Sequence, residues 1–142
     1  MTDLPTPTPD VNPETEPFWD ATGDGQLLIQ RCGECDRIYY YPRARCPDCA
    51  ADTTEWMEAS GRGEIYSYTI THGGVGHPYA EATPFVLAYV ELEEGPRVLT
   101  NIVCAGLEDG ADPLSVGQSV EVVFDDTDDE DDDYALPRFT PR

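Results

Sequence analysis

Lysine is missing altogether from this 142-residue chain, whose eight cations are all Arg and face 29 Asp and Glu, for a formal net charge of -21. A surface this anionic repels nucleic acid and anionic lipid headgroups, so generic binding to either carries a heavy electrostatic cost. Long apolar runs are missing too. The longest, Phe85 to Val90, is far too short to span a bilayer. No basic, then apolar, then small-residue segment opens the chain, which argues against a secretory signal and for a cytoplasmic protein. Histidine is scarce: only His72 and His77 occur, both beside the glycines of residues 73–76. No Ser or Cys sits in a nucleophile elbow, no phosphate-cradling GxxxxGK[ST] loop appears, and the glycines lack the strand-to-helix setting of a dinucleotide fingerprint. An acid/base role for His72 or His77 stands against the plainer reading of a polar loop. These gaps leave a binding or scaffolding module rather than a self-sufficient enzyme.

The acids are spread from Asp3 to Asp133 rather than gathered in one tail. Self-repulsion at such a charge weakens the compact state unless salt screens it, and at about 1 M the Debye length is only about 3 Å. The composition points to a halophilic cytosol. An acidic tail on an ordinary protein is the alternative.

Length suits one compact unit or two very small ones sharing a core. Met1 to Glu16 is polar and punctuated by Pro5, Pro7, Pro9 and Pro13, and it is expected to be a disordered leader. Pro17 suits the first position of a short helix, ended by Gly23 and Gly25. Gln26 to Arg31 reads as a strand, and after the cysteines the pattern is β throughout. Thr54 to Ser60 and Glu64 to Thr71 are strand-like, with Gly61 and Gly63 marking a bulge or bend. Pro84 to Leu92 and Arg97 to Cys104 flank a Glu93-Glu94-Gly95-Pro96 turn and make the best hairpin. Asp112 to Val116 is expected to form one helical turn, Ser119 to Phe124 a strand, and Tyr134 to Phe139 a last one. Eight of the nine residues from Asp125 to Asp133 are acidic, which predicts a solvated loop. Five strands with a helical turn between the third and fourth is the element order of an OB-fold, although many small β-folds share the count. The expected architecture is mainly β: a short helix and rubredoxin-like zinc ribbon over residues 17–53, then an OB-fold barrel over 54–142.

Cys32-x-x-Cys35 and Cys46-x-x-Cys49, ten residues apart, are the most specific local signal. Each pair can wrap a knuckle around one metal, and Asp36 to Arg45 is long enough for a β-hairpin between them. Four thiolates in tetrahedral geometry suit a structural Zn²⁺ and leave no open position for substrate water. Rubredoxin-like iron, two disulfides or a redox dithiol are the alternatives, and without a secretion signal disulfides are disfavoured. Metal binding would replace the core that so short a module cannot build. Cys104 stands apart in an apolar strand context and reads as an inert buried thiol.

One cluster runs against the global charge. Arg31, Arg37, Arg43 and Arg45 fall within fifteen residues, opposed only by Glu34 and Asp36 and interleaved with Tyr39, Tyr40 and Tyr41. Guanidinium forks beside stackable rings suit a phosphorylated, adenine-bearing ligand. The competing reading is charge balance, because Zn²⁺ with four thiolates carries net charge of about -2.

Taken in order, FW near residue 18, QLLIQRCGEC, YYPRARCPDC, EWMEASGRGEIYSYT, PFVLAYVELEEGPRVLTNIV and LPRF resemble the zinc-ribbon/OB-fold acyl-CoA-associated proteins. The likeness runs from about Pro17 to Pro141, and the SGRG junction and the ELEEGPRVLTN hairpin are its most specific parts. It implies a small partner of thiolase-superfamily enzymes, such as two-subunit β-ketothiolases or thiolase/HMG-CoA-synthase assemblies. Related modules are fused or bound to acyl-CoA hydratases and aldolases. In such complexes the thiolase-like chain carries the catalytic Cys and His, while the ribbon/OB chain supports assembly and holds or passes the CoA thioester. By that resemblance Arg31, Arg37, Arg43 and Arg45 are the candidate CoA-phosphate contacts. Phe18 and Trp19 are candidates for docking on the partner, with packing onto the chain's own barrel as the alternative. Asp36 and Ala50 depart from the family by standing after the knuckles where Gly is common. The acidic 125–133 stretch is also longer than usual. Two other functions remain open: a single-strand nucleic-acid-binding OB protein, which the Tyr run allows and the charge opposes, and a stand-alone acyl-CoA-binding protein.

Overall fold

Asn12 sets the first turn. In the computed structural model, which describes residues 4–103 and 113–142, its side-chain oxygen accepts hydrogen bonds from the N–H groups of Glu14 and Thr15, both at 3.0 Å. Helix α1, Glu16–Gly23, follows, with Thr15 at its N-cap, Glu16 in its first turn and Pro17 where a missing N–H costs nothing. The helix buries Phe18, Ala21 and Thr22. The Thr22 hydroxyl donates to the Trp19 carbonyl at 2.6 Å and accepts from the Ala135 N–H at 3.1 Å, which ties α1 to the last strand.

Three short strands come next: β1 Leu28–Cys32, β2 Ile38–Tyr39 and β3 Thr54–Glu58, in the spatial order β2-β1-β3. Both pairings are antiparallel, with Gln30 opposite Tyr39 on one side and Trp56 on the other. The remaining strands are β4 Arg62–Thr71, β5 Phe85–Leu92, β6 Arg97–Ile102, β7 Ser119–Asp126 and β8 Ala135–Pro141. They close into a barrel ordered β4-β5-β6-β8-β7. All its pairings are antiparallel except β6 to β8, a parallel contact at Ile102 and Phe139. Each barrel strand has a neighbour on both sides, although β6 meets β8 at that one pair and β4 meets β7 only over Arg62 to Glu64, the partly open form of barrel. This is the OB architecture expected from the element order.

Period-two burial explains the barrel interior. Val86, Ala88, Val90 and Leu92 of β5 point in, as do Val98, Thr100 and Ile102 of β6, while Leu87, Tyr89 and Leu99 point out. Phe18, Leu27 and Ile29 belong to the same buried cluster as the barrel residues, so helix, ribbon and barrel share one core. No helix among the described residues is long and apolar enough to cross a membrane.

Several expectations shift. The chain bends at Gly61, whose φ of 77° is the left-handed region, but the β-bulge lies at Tyr66, between Ile65 and Ser67. Gly63 is already inside β4, where an added Cβ would stand 2.4 Å from the Glu91 carbonyl oxygen. Pro113 to Val116 forms no helix, and Asp112 and Cys104 lie outside the described residues. The acidic stretch is not wholly a loop. Asp125 and Asp126 extend β7, and Asp125, 6% exposed, pairs at 2.6 Å with Arg138, 2% exposed. Arg138 also donates to the Pro5 carbonyl and, at 3.4 Å, to the Tyr79 hydroxyl. The segment expected to be a leader carries no helix or strand from Leu4 to Glu14, yet it is bound to the barrel. Thr6 donates to the Asp128 carboxylate at 2.6 Å and accepts from the Asp128 N–H at 3.0 Å. Ahead of the Asn12 turn, proline-rich backbone finds hydrogen-bond partners on the barrel and its loop.

Candidate metal centre and the groove beside it

The two Cys-x-x-Cys turns are built alike. The Cys32 N–H donates to the Arg37 carbonyl and the Asp36 N–H returns to the Cys32 carbonyl; Cys46 with Ala51 and Ala50 with Cys46 repeat the pattern. The residue after each turn lies in the left-handed region, Asp36 at φ 63° and Ala50 at φ 61°. These are the two positions where the sequence departs from glycine. Amide N–H groups of Glu34 and Cys35 point at the Cys32 sulfur at 3.4 and 3.5 Å, and that of Asp48 points at the Cys46 sulfur at 3.4 Å.

Together the turns bring all four sulfurs within 4.8 Å of one another, with Cys32 to Cys49 and Cys35 to Cys46 each at 3.5 Å. A tetrahedral ion with bonds of about 2.3 Å needs sulfur–sulfur separations of about 3.8 Å, so the donor set fits Zn²⁺. The cysteines are free thiols, not disulfides. Cys32 and Cys46 are buried, and Cys35 and Cys49 face solvent. Left to themselves the thiols ionise unevenly. Cys46 is held down at about 7, chiefly by the N–H of Cys49 and then that of Asp48, against the pull of burial. Cys35 is pushed up to about 12: the Arg37 N–H lowers it, but its contacts with the other thiols and burial prevail. A dication equalises them by binding every sulfur as thiolate.

Local order around the site comes partly from one buried amide. The hairpin expected between the knuckles is only β1 with β2; residues 40–45 are irregular. Gln30, buried on β1, spans the gap, donating to the Arg43 carbonyl at 3.0 Å and accepting from the Arg43 N–H at 2.8 Å. The Tyr39 hydroxyl also donates to the Arg43 carbonyl, at 3.3 Å. Nothing in the spacing of the cysteines announces this clamp.

The four arginines do not converge. Arg31 and Arg45 each stand just before a knuckle and reach to its far end, Arg31 to Asp36 at 2.7 Å and Arg45 to the Ala50 carbonyl at 3.0 Å. Arg37 pairs with Asp48 across the centre. Arg43 makes no ion pair among the described residues. Arg37 and Arg43 line an open groove of about 930 Å³ with Tyr41, and the barrel supplies Tyr89, Arg97 and Leu99. The barrel residues were invisible to a reading confined to the cysteine-rich stretch. Phe18, expected as a docking residue, is 3% exposed and makes edge contacts with Trp19 and Tyr40, with ring centres 5.0 and 5.7 Å apart. Trp19 is partly buried against the same core and faces Tyr134. The aromatic pair packs on its own chain. His72 and His77 lie in the segment after β4, and neither touches the metal centre.

Comparison with known proteins follows the same division. The rubredoxin-like zinc ribbon domain of ChsH2 matches residues 19–55, and the C-terminal OB-fold domain of ChsH2 matches residues 56–125. A probable enoyl-CoA hydratase alpha subunit of Thermomonospora curvata is 35% identical over 95% of this chain, which spans 40% of that relative's length. A DUF35 domain-containing scaffold protein of Methanothermobacter thermautotrophicus is 33% identical over 82% of this chain and 86% of its own. The benzoylsuccinyl-CoA thiolase subunit BbsA of Geobacter metallireducens is 30% identical over 66% of this chain and 58% of its own. Among solved structures, a chain of the Ltp2-ChsH2(DUF35) aldolase superposes with a TM-score of 0.77 at 32% identity, over 94% of this chain and 98% of that one. With both modules matched in order and the four sulfurs converging, the chain belongs to the ChsH2-type zinc-ribbon/OB-fold family of DUF35 scaffold proteins.

Proposed function

We propose that this chain is a non-catalytic accessory subunit of a thiolase-type complex acting on acyl-CoA thioesters, and that its part is assembly. The observation that carries the reading is the near-complete superposition on a chain of the Ltp2-ChsH2(DUF35) aldolase. The names of relatives, a thiolase subunit and scaffold proteins, point the same way. The site supports it chemically. A closed set of Cys32, Cys35, Cys46 and Cys49 holds zinc for rigidity and leaves no position for substrate. Among the described residues no Ser, Cys or His is hydrogen-bonded as a nucleophile–base pair. The test is co-expression with a thiolase-like chain from the same genome. A stable hetero-oligomer, with thiolysis activity dependent on the catalytic chain, is expected; a lone monomer in molar salt, or turnover by this chain alone, would sink the reading.

A second reading, a stand-alone acyl-CoA-binding protein, is favoured by the groove itself, where Arg37 and Arg43 stand near Tyr41 and Tyr89. Titration calorimetry of CoA into the isolated chain separates the two. Saturable binding at micromolar CoA supports the second, and no heat supports the first. A nucleic-acid role draws no support from a groove with so few cations on a chain of net charge -21.

A further inference from the structure

The outer face of β4, β5 and β6 is the wrong chemistry for a solvent-facing sheet on a chain of net charge -21. Antiparallel sheets with one face on the core alternate apolar inward and polar outward. Here Tyr89 stands opposite Leu99 and Ser67, and Leu87 opposite Asn101 and Thr69, with Tyr66 pushed out at the bulge. Leu87, Tyr89, Tyr66 and Leu99 are all exposed, Leu99 at 54%. The paired rows from Ser67 to Thr69 contain no acid. Glu64 and Glu91 lie at the hairpin end, and Glu91 is neutralised by Arg97 at 3.1 Å, whose guanidinium caps the Tyr66 ring at 3.8 Å. The face continues through Tyr89 and Leu99 into the groove whose far wall is Tyr41, 68% exposed, and Arg43. Arg43 is pre-positioned by the buried Gln30, and its guanidinium makes no ion pair among the described residues.

We propose that this acid-poor face is where the catalytic partner subunit docks, presenting an apolar patch to Leu87, Tyr89 and Leu99 and a carboxylate side chain to Arg43. The proposal rests on the accessory-subunit reading. A chain this acidic is approached at least cost where its acids are sparse, and exposed apolar and aromatic side chains around an unspent arginine are the residue types that anchor interfaces. A second copy is the poorer occupant, because the same face offers Arg43 only Glu64 and the already paired Glu91.

The test measures affinity for a purified thiolase-like catalytic chain from the same genome, in molar KCl. The variants are Tyr89→Thr and Leu99→Thr, which place a strand-favouring β-branched residue at each position, and Arg43→Gln, which leaves the backbone clamp in place. Glu130→Thr, in the acidic segment between β7 and β8, is the control. Metal content and melting temperature report whether each variant is folded. Each face variant is expected to weaken binding by about tenfold or more, while the control binds as wild type does. Folded face variants that bind like wild type would overturn the proposal and leave the accessory reading standing. Failure of the wild-type chain to bind would remove that reading itself. A homodimer dissolved by the same substitutions, or CoA binding lost with them, would reassign the face and so overturn the proposal too.

Discussion

Charge at single positions is decided by neighbours that no local window contains. Asp125 looks like the first of eight acids in a run of nine residues, yet it is the one that pairs in the interior with Arg138, thirteen residues on. The sequence registers the density of carboxylates and not which of them the barrel encloses. Removing one partner of a buried pair strands the other charge. Asp125→Asn is therefore expected to cost about 3 kcal/mol, read as a lowered urea midpoint; Asp129→Asn, in the exposed part of the same stretch, should change nothing measurable. The arginines teach the same lesson. Four cations within fifteen residues suggested one ligand, but Arg31 and Arg45 are spent on the knuckles, Arg37 on Asp48, and only Arg43 stays unpaired among the described residues.

At the scale of elements, the ribbon is the part most legible from sequence, because metal ligation demands particular atoms at short fixed spacings. Its three strands are too short to hold together by their own pairing. One zinc per chain by elemental analysis is expected, and a strong chelator should lower the amide protection of residues 28–58 before that of the barrel strands, as hydrogen exchange would show. In the chelated protein acid makes matters worse. The Cys46 thiol lies at about 7 in the fold, below its ordinary 9.0. Its thiolate therefore favours the folded knuckle fully above pH 9, and that contribution disappears as pH falls through 7. Melting curves across that window would check the sign. The barrel was legible in its order of strands, and its bulge was not: Gly61 and Gly63 drew attention, whereas the extra residue is Tyr66. Glycine marks where backbone must bend or approach closely, but a bulge at tyrosine leaves no compositional mark.

For the whole molecule the governing quantity is the net charge of -21. We infer salt adaptation from it. Screening to a Debye length of about 3 Å near 1 M weakens the self-repulsion, so the melting temperature is expected to rise steeply between 0.1 and 2 M KCl. A flat profile would refute this. Since Phe18, Leu27 and Ile29 share the barrel core, the metal-loaded protein should melt in one transition rather than two.

By itself the sequence determined the ligand set and the succession of ribbon and barrel, because these depend on residue type at short spacing and on period-two burial. The closed barrel alone decided that Leu87, Tyr89 and Leu99 would form one outer face continuous with Arg43 of the ribbon, and that Asp125 would turn inward. Those outcomes depend on which strands become neighbours across long stretches of chain, and pairing at that distance is settled only when the shared core forms.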